Sequence, residues 1–352
     1  MGLAVSVAFI ALFFLTVDIQ EMGGALADAR YQYVAPAVAL YFVAVLFRTL
    51  RWQYLLAPVR RFGAVRLFPV VTVGYMANNL LPARLGEVVR AYYLARREGF
   101  NTSTGLATII VERVYDGLTL LFFAAVAVPI IILAGLVDES STGTQVSWGI
   151  FGAGALLVFL AAIGVLTLLA INPGFVRLFE WLANLLPSRL RPKAIEVLNL
   201  FVTGLSALRE PRRHAGLFMR SLPVWLFEGA MFLVIAISFD LQDFFSPAVL
   251  LVPVVLLVTA VSNLATAIPS SPGSIGTFEF PAAAALTLVG VGAGVAGAYA
   301  VMLHVYLLLP ITALGLVFLW SGHESLTSLT RREENPSTAV PIGEAEMVGG
   351  ER

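Results

Sequence analysis

Charged side chains interrupt otherwise apolar stretches of this chain, and their types suit the binding of a phosphate group. Arg84, Arg90 and Arg113 carry guanidinium groups, which bind phosphate oxygens through paired hydrogen bonds. A second set is acidic and could bind a cationic group or carry a proton: Glu87, Glu112, Asp116 and Glu279. A charge placed in a membrane interior costs at least ~2.5–3.5 kcal/mol, so each of these residues needs a partner or a function.

The spacing of these residues also allows a purely structural role. Glu112 and Asp116 lie four residues apart on one helix face, and Arg113 can pair with Asp116 three residues further on. The cluster is therefore either a self-neutralising group that locks its helix in place or part of a binding site. Arg48 and Arg51 end an apolar stretch, where they either extend to lipid headgroups or make first contact with an incoming lipid.

Two further ionisable residues have two interpretations each. Glu228 is either a buried hydrogen-bonding partner or a proton-coupling site. His304 is either a core histidine with satisfied hydrogen bonds or a proton relay.

The composition is that of a membrane protein. Of 352 residues, 59% are hydrophobic and 12% are charged, and the mean hydropathy is +0.88; soluble domains carry roughly 25% charged residues. The absence of cysteine excludes disulfide, iron–sulfur and zinc–thiolate chemistry. The histidines are too far apart for a metal site, and the single lysine, Lys193, is not in a phosphate-binding loop. We therefore expect no cofactor, no metal and no nucleic-acid partner.

Apolar stretches long enough to cross a bilayer set the element order. Spans are predicted at residues 3–17, 34–56, 104–136, 147–171, 217–240 and 296–320. Two further apolar segments, 67–95 and 246–290, are interrupted by helix-breaking residues: Pro82, Gly86, Pro269, Pro272, Gly273 and Gly276. Open backbone is tolerated in a membrane only where protein buries it or a wet cavity meets it, so each break is predicted to line a binding site.

The order of these elements predicts two halves, about 1–136 and 147–320, each with two spans, a broken segment and one more span. One set of loops holds only Arg30 as a basic residue, so the other set is cytoplasmic, as are both termini. The breaks then enter from opposite sides. The predicted fold is an all-α polytopic membrane protein of two inverted-topology halves, each with three spans plus one re-entrant broken helix. The alternative is two unrelated kinked helices.

The remaining segments are polar or amphipathic. Asp18, Glu21, Asp28 and Arg30 are predicted in a loop. Residues 172–216 form a cytoplasmic insert of two amphipathic helices, the first capped by Asn172 with Pro173 in its first turn. Residues 326–352 are expected to be a disordered cytoplasmic tail.

Four motifs resemble those of the lysylphosphatidylglycerol synthase transmembrane region, a flippase-like membrane domain family: Arg48-Thr-Leu-Arg51-Trp52, Asn79-Leu-Leu-Pro82-Ala-Arg84-Leu-Gly86-Glu87, Glu112-Arg113-Val-Tyr-Asp116 and Pro269-Ser-Ser-Pro272-Gly273-Ser-Ile-Gly276-Thr-Phe-Glu279. The resemblance covers residues 1–325. It implies a lipid-translocating module of the prokaryotic plasma membrane with two re-entrant segments. Only about thirty polar residues follow the last span, so the synthase activity of bifunctional family members is not expected here.

Together these arguments predict ATP-independent translocation of a lipid with a phosphate-containing headgroup, either a phospholipid or a polyprenyl-phosphate-linked lipid, rather than an enzyme. The predicted substrate-binding residues are Arg48, Arg51, Asn79, Arg84, Glu87, Arg90, Glu112, Arg113, Asp116, Ser270, Ser271 and Glu279. One alternative is a glycosyltransferase using a polyprenyl-phosphate sugar, with Asp18, Glu21 and Asp28 available on an outer loop. Another is a non-transporting module that binds a lipid-modifying enzyme through residues 174–208. A homo-oligomer is a further possible assembly.

Overall fold

The computed structural model describes residues 2–82, 85–137 and 211–322, and between them residues 154, 157, 161, 164–165, 168, 172–184, 186–187, 191–192, 194–196 and 198–199. All regular structure among these residues is helical. The helices are α1 Gly2–Thr16, α2 Ile19–Asp28, α3 Val34–Leu56, α4 Ala64–Leu80, α5 Gly86–Glu98, α6 Thr102–Leu133, α7 Pro173–Asn184, α8 Pro211–Ser238, α9 Leu251–Ala265, α10 Glu279–Thr287 and α11 Ala293–Ser321.

Five of the described helices are long and apolar enough to cross a membrane: Tyr31–Leu56, Thr102–Leu133, Arg212–Ser238, Ala248–Ala265 and Ala293–Ser321. Helices α1 and α2 satisfy the same criteria jointly, with a bend of 85° between them. The prediction of an all-α polytopic membrane protein is confirmed. The predicted span 147–171 and the second amphipathic helix lie largely outside the described residues, and the tail 326–352 lies wholly outside them.

The predicted loop after α1 is wrong, because residues 19–28 form helix α2. Asp18 caps this helix: its carboxylate accepts hydrogen bonds from the backbone amides of Gln20 and Glu21, at 2.9 and 3.0 Å. Glu21 then accepts from the amide of Gly294 at the start of α11, at 3.2 Å. The acidic residues that suggested a solvent-exposed loop therefore start a helix and attach it to α11.

The helix cap predicted at Asn172 is confirmed. Its side-chain oxygen accepts a hydrogen bond from the amide of Gly174 at 2.9 Å, and α7 begins at Pro173.

Both predicted breaks are confirmed. Helix α4 ends at Leu80 and α5 begins at Gly86, while α9 ends at Ala265 and α10 begins at Glu279. Helices α4 and α5 pack against each other as a hairpin. A Cβ atom on Gly86 would lie 2.2 Å from the carbonyl oxygen of Gly74, so only glycine permits this approach of the two backbones.

Contacts between the two predicted halves are reciprocal. Helix α4 packs on α11 and α9 packs on α6, while α3 and α8 pack on each other. Within the halves, α4 contacts α5 as α9 contacts α10, and α5 contacts α6 as α10 contacts α11. Exchanging α3, α4, α5 and α6 for α8, α9, α10 and α11 converts the α3–α8 pair into itself and each other pair into another pair of the set. This pattern is consistent with an internal repeat, and the inverted orientation of the halves stays a prediction.

Candidate functional site

The two breaks meet beside a polar cavity of about 270 Å³ inside the helix bundle. A Cβ atom on Gly273, in the second break, would lie 3.5 Å from the carbonyl oxygen of Asn79, at the end of α4. The polar and aromatic lining residues come from both halves: Tyr41, Arg48, Tyr75, Asn78, Asn79, Glu87, Arg113, Asp116, Trp225, Glu228, Asn263, Thr266, Ser274, Phe278 and His304. Backbone groups that lack helical hydrogen bonds at the breaks thus lie beside a polar cavity, as expected for irregular structure within a membrane.

Arg48 and Glu228 form an ion pair on the cavity wall, with 2.5 Å between the guanidinium and a carboxylate oxygen. The Arg48 guanidinium also lies over the rings of Tyr75 and Trp225, 5.3 and 5.1 Å from their centroids. Both charged side chains are buried, and Arg51 is fully buried. The interpretation of Arg48 and Arg51 as extending to lipid headgroups is therefore wrong. Glu228 is a buried partner of Arg48, and its role in proton coupling stays a prediction.

Arg113 is the more accessible arginine of the cavity, with 26% of its side chain exposed. Its guanidinium lies 2.7 Å from Glu112 and 3.0 Å from Asp116, which confirms the predicted pairing three residues apart. It also donates to the hydroxyl of Tyr75 at 3.1 Å and lies 3.8 Å from Glu87 at the start of α5. One arginine thus connects α4, α5 and α6 at the edge of the cavity.

A second layer of charge lies behind the cavity wall. Glu112 is completely buried and receives two parallel hydrogen bonds from Arg90, at 3.0 and 3.1 Å, while Arg51 approaches it to 3.2 Å. Arg90 also stacks on Trp52, with 3.8 Å between its guanidinium carbon and the ring centroid. Arg51 binds Asp116 at 2.6 Å. For Arg51, Arg90 and Glu112 these contacts support the self-neutralising interpretation.

The charges of the described cluster balance. Four arginines, at 48, 51, 90 and 113, face four carboxylates, at 87, 112, 116 and 228. The indole of Trp225 also donates to Asp116 at 2.9 Å. Any charged ligand entering the cavity must therefore compete with an existing ion pair. Among the described residues, no group of three or more acidic, histidine or cysteine side chains is placed to hold a metal ion.

The binding residues predicted at the second break, Ser270, Ser271 and Glu279, do not line this cavity. Ser271 binds Ser6 of α1, with the hydroxyl oxygens 2.8 Å apart, and the hydroxyl of Thr277 donates to that of Ser270 at 3.2 Å. Glu279 accepts from the amide of Gly276 at 2.7 Å and lies 2.6 Å from the Nδ1 atom of His304. His304 itself lines the cavity, so this pair connects the break to it.

The structure brings five of the twelve predicted binding residues to the cavity wall: Arg48, Asn79, Glu87, Arg113 and Asp116. Arg51, Arg90 and Glu112 lie behind it, while Ser270, Ser271 and Glu279 lie at the second break. Arg84 falls outside the described residues. Their substrate-binding role stays a prediction for all twelve.

Tyr75 is the most connected of the lining residues that sequence reasoning missed, which also include Tyr41, Asn78, Trp225 and Asn263. It contacts both arginines of the cavity, and it lies one helical turn before Asn79 on the same face of α4. The four-residue spacing from Asn79 was the one sequence feature that could have placed Tyr75 at the site, because an aromatic residue in an apolar helix otherwise suggests only packing.

Comparison with known proteins agrees with the motifs. The family model of the lysylphosphatidylglycerol synthase TM region matches residues 1–315. The chain belongs to this family. No solved structure matches it.

Its curated relatives include archaeal membrane proteins. The glycosyltransferase AglD of Haloferax volcanii is 29% identical over 298 residues, which cover 79% of this chain but only 47% of AglD. The chain thus spans about half the length of that relative. A UPF0104 membrane protein of Methanothermobacter thermautotrophicus is 26% identical over 304 residues, covering 82% of this chain and 83% of the relative.

Proposed function

We propose that this protein moves a lipid with a phosphate-containing headgroup across the membrane without ATP. The observation that carries the proposal is the cavity at the meeting point of the two breaks, which places Arg48 and Arg113 inside a membrane-spanning bundle. A headgroup occupies this polar cavity while its hydrocarbon chains stay in the bilayer. The family, whose description names a lipid synthase, fits a role connected with membrane lipids.

The balanced charges of the site favour weak, reversible binding of a headgroup, which suits transport better than tight binding would. A phosphate that binds Arg113 must displace part of its contact with Glu112 or Asp116, 2.7 and 3.0 Å away. The net gain in free energy is then small, because one charge-assisted hydrogen bond replaces another. A carrier or conduction site must bind its cargo weakly enough to release it, and this exchange of partners provides weak binding.

Reconstitution tests the proposal directly. The purified protein is placed in liposomes containing fluorescently labelled phosphatidylglycerol, with a labelled polyprenyl phosphate in a second series, and a membrane-impermeant quencher reports the lipid in the outer leaflet. We expect the protein to speed transbilayer movement of at least one lipid. Arg113→Ala should slow it about tenfold, the effect of one lost charged hydrogen bond.

Arg60→Ala is the matched control, because Arg60 is exposed and binds the backbone oxygen of Glu98 away from the cavity, at 2.7 Å. Thermal melting in detergent verifies that both variants fold. If the unmodified protein leaves the movement of both lipids at the rate of empty liposomes, the proposal is wrong.

A second candidate is a membrane glycosyltransferase, and the name of the Haloferax relative is the observation that favours it. Of the three acidic residues considered for that chemistry, Asp18 caps α2 and Glu21 binds the amide of Gly294. Asp28, exposed at the end of α2, is the remaining candidate for a general base. Sugar transfer from a polyprenyl-phosphate sugar by the purified protein, lost in Asp28→Asn, would place this function above transport.

A further inference from the structure

A second, apolar groove of about 260 Å³ lies next to the polar cavity. Helix α1 contributes Ile10, Phe13 and Phe14, and the opposite side is formed by the second break and α11. Among the residues that line the groove, Glu279 carries the only ionisable side chain. The polar cavity and the apolar groove together match the two parts of a lipid.

A single backbone segment separates the groove from the cavity. Ser274 lines the cavity and the next residue, Ile275, lines the groove; Phe278 lines the cavity and Glu279 the groove. On α11 the wall continues with His304 facing the cavity. A movement of the break would therefore join the two spaces.

This wall is not an α-helix: a short 3-10 turn at Pro272–Ser274 is followed by irregular backbone up to the start of α10. Gly273, Ser274 and Gly276 have positive φ angles of 68°, 57° and 87°. The left-handed region is unfavourable for a residue with a side chain, so Ser274 holds backbone strain that its surroundings must maintain. Such segments are more easily rearranged than the helices beside them.

Side-chain contacts hold the wall from both sides. On the groove side, the Ser6 hydroxyl of α1 donates to the Ser271 hydroxyl at 2.8 Å and accepts from the Ser271 amide at 2.9 Å. On the other side, Glu279 joins the amide of Gly276 to His304 of α11, at 2.7 and 2.6 Å. A Cβ atom on Gly276 would lie 2.8 Å from the Ser6 carbonyl oxygen, so α1 closes directly on the turn.

We propose that the second break is the lateral opening of the site: the hydrocarbon chain of the lipid lies in the groove on α1 while its headgroup occupies the polar cavity. The proposal rests on the proposed transport function. Opening requires that the Ser6–Ser271 contact and the Glu279–His304 contact separate, so that the turn moves away from α1 or α11.

A reversible crosslink tests this, and the natural chain has no cysteine to interfere. In the double variant Ser6→Cys/Ser271→Cys, the sulfur atoms replace oxygens 2.8 Å apart and are placed to form a disulfide. Transport of the labelled lipid that the unmodified protein moves, phosphatidylglycerol or polyprenyl phosphate, is measured in the same proteoliposomes before oxidation, after oxidation and after reduction. We expect oxidation to slow transport about tenfold, as for a closed gate, and reduction to restore it.

The matched controls are the single variants Ser6→Cys and Ser271→Cys, which receive the same oxidant but cannot form the disulfide within the chain. Their oxidation should leave transport unchanged. Peptide mass analysis confirms that the disulfide has formed in the double variant. If the unmodified protein transports the lipid and the oxidised Ser6/Ser271 variant transports it equally fast, the lateral opening is disproved although the proposed function stands. If the unmodified protein transports nothing, the proposed function itself fails.

An independent variant fills the groove without touching either contact. Ile275→Trp adds a bulky ring to the groove wall, and we expect it to slow transport several-fold. Leu15→Trp is its control, because Leu15 on α1 is 81% exposed and does not line the groove. Equal rates for these two variants would contradict the placement of the chain in the groove.

Discussion

At the scale of single residues, the buried arginines are held by carboxylates from other helices. Arg48 pairs with Glu228, which lies 180 residues further along the chain, and Arg51 pairs with Asp116 at a separation of 65. The sequence identifies these residues, because any ionisable side chain in an apolar stretch is conspicuous. It cannot identify their partners over such separations. The exception is Arg113 with Asp116, where helical spacing alone predicts the pair.

The Arg48–Glu228 pair allows its structural role to be separated from its role in transport. Arg48→Gln or Glu228→Gln leaves the other buried charge without its partner and should destabilise the fold by about 3–5 kcal/mol. The double variant should recover most of this stability but not full transport, because the cavity keeps Arg113 but loses the guanidinium of Arg48. Melting temperature in detergent and lipid transport are measured on all three. Full transport by a stable double variant would show that the pair serves only the fold.

Glu112 should be the carboxylate whose loss costs most stability, because it contacts Arg51, Arg90 and Arg113 and is completely buried. Glu112→Gln should lower the stability by at least about 3 kcal/mol. Glu98→Gln is the control: its partner Arg66 is 70% exposed, and surface pairs contribute at most about 1 kcal/mol. Thermal melting compares the two, and equal melting temperatures would contradict the assigned role of Glu112.

At the scale of elements, the two breaks were predictable and helix α2 was not. Proline removes an amide donor and glycine permits close backbone approach. Residues 82–86 and 269–276 can therefore be recognised from the sequence as breaks in a helix. Residues 19–28 contain Glu21 and Asp28 and were assigned to a loop, although Asp18 before them is a typical helix cap. Acidic composition outweighed the capping signal in that prediction.

The hairpin of α4 and α5 depends on Gly86. Gly86→Ala would place a Cβ atom 2.2 Å from the carbonyl oxygen of Gly74, so the backbones must separate, at a cost of about 3 kcal/mol. Gly23→Ala in α2 meets no atom within 4 Å and should stabilise by about 0.5–1 kcal/mol, as expected for alanine in a helix. Melting temperatures in detergent should move in opposite directions, and a shift of the same sign would disprove the close packing.

At the scale of the whole molecule, the site lies where the halves meet. The reciprocal packing of α4 on α11 and of α9 on α6 brings both breaks to one cavity. The apolar composition and the broken segments predicted this arrangement, because non-helical backbone within a membrane must be buried by protein or line a water-filled cavity. The linear sequence could not show that Ser271 contacts α1, or that Ser270 contacts Thr277, instead of lining the cavity, because their orientation depends on the irregular turn that follows them.

The predicted orientation can be tested by labelling single cysteines in intact cells. Asp28→Cys, at the exposed end of α2, should react with a membrane-impermeant thiol reagent added outside. Arg61→Cys, in the exposed turn before α4, should react only after the membrane is permeabilised, because basic loops stay in the cytoplasm. The reverse pattern would overturn the orientation.

The central claim is that lipid headgroups pass through the cavity between the two breaks. Asn79 at the end of α4 and Asn263 on α9 both line that cavity. Because the natural chain has no cysteine, a cysteine introduced at either position is the only one in the variant. The decisive measurement is transport of the labelled lipid that the unmodified protein moves. It is made on Asn79→Cys and Asn263→Cys before and after a charged, water-soluble thiol reagent, with Arg61→Cys as control. We predict that the reagent reacts at both positions and stops transport there, while modified Arg61→Cys keeps its rate. Complete modification of either cavity cysteine with no change in transport would contradict the account.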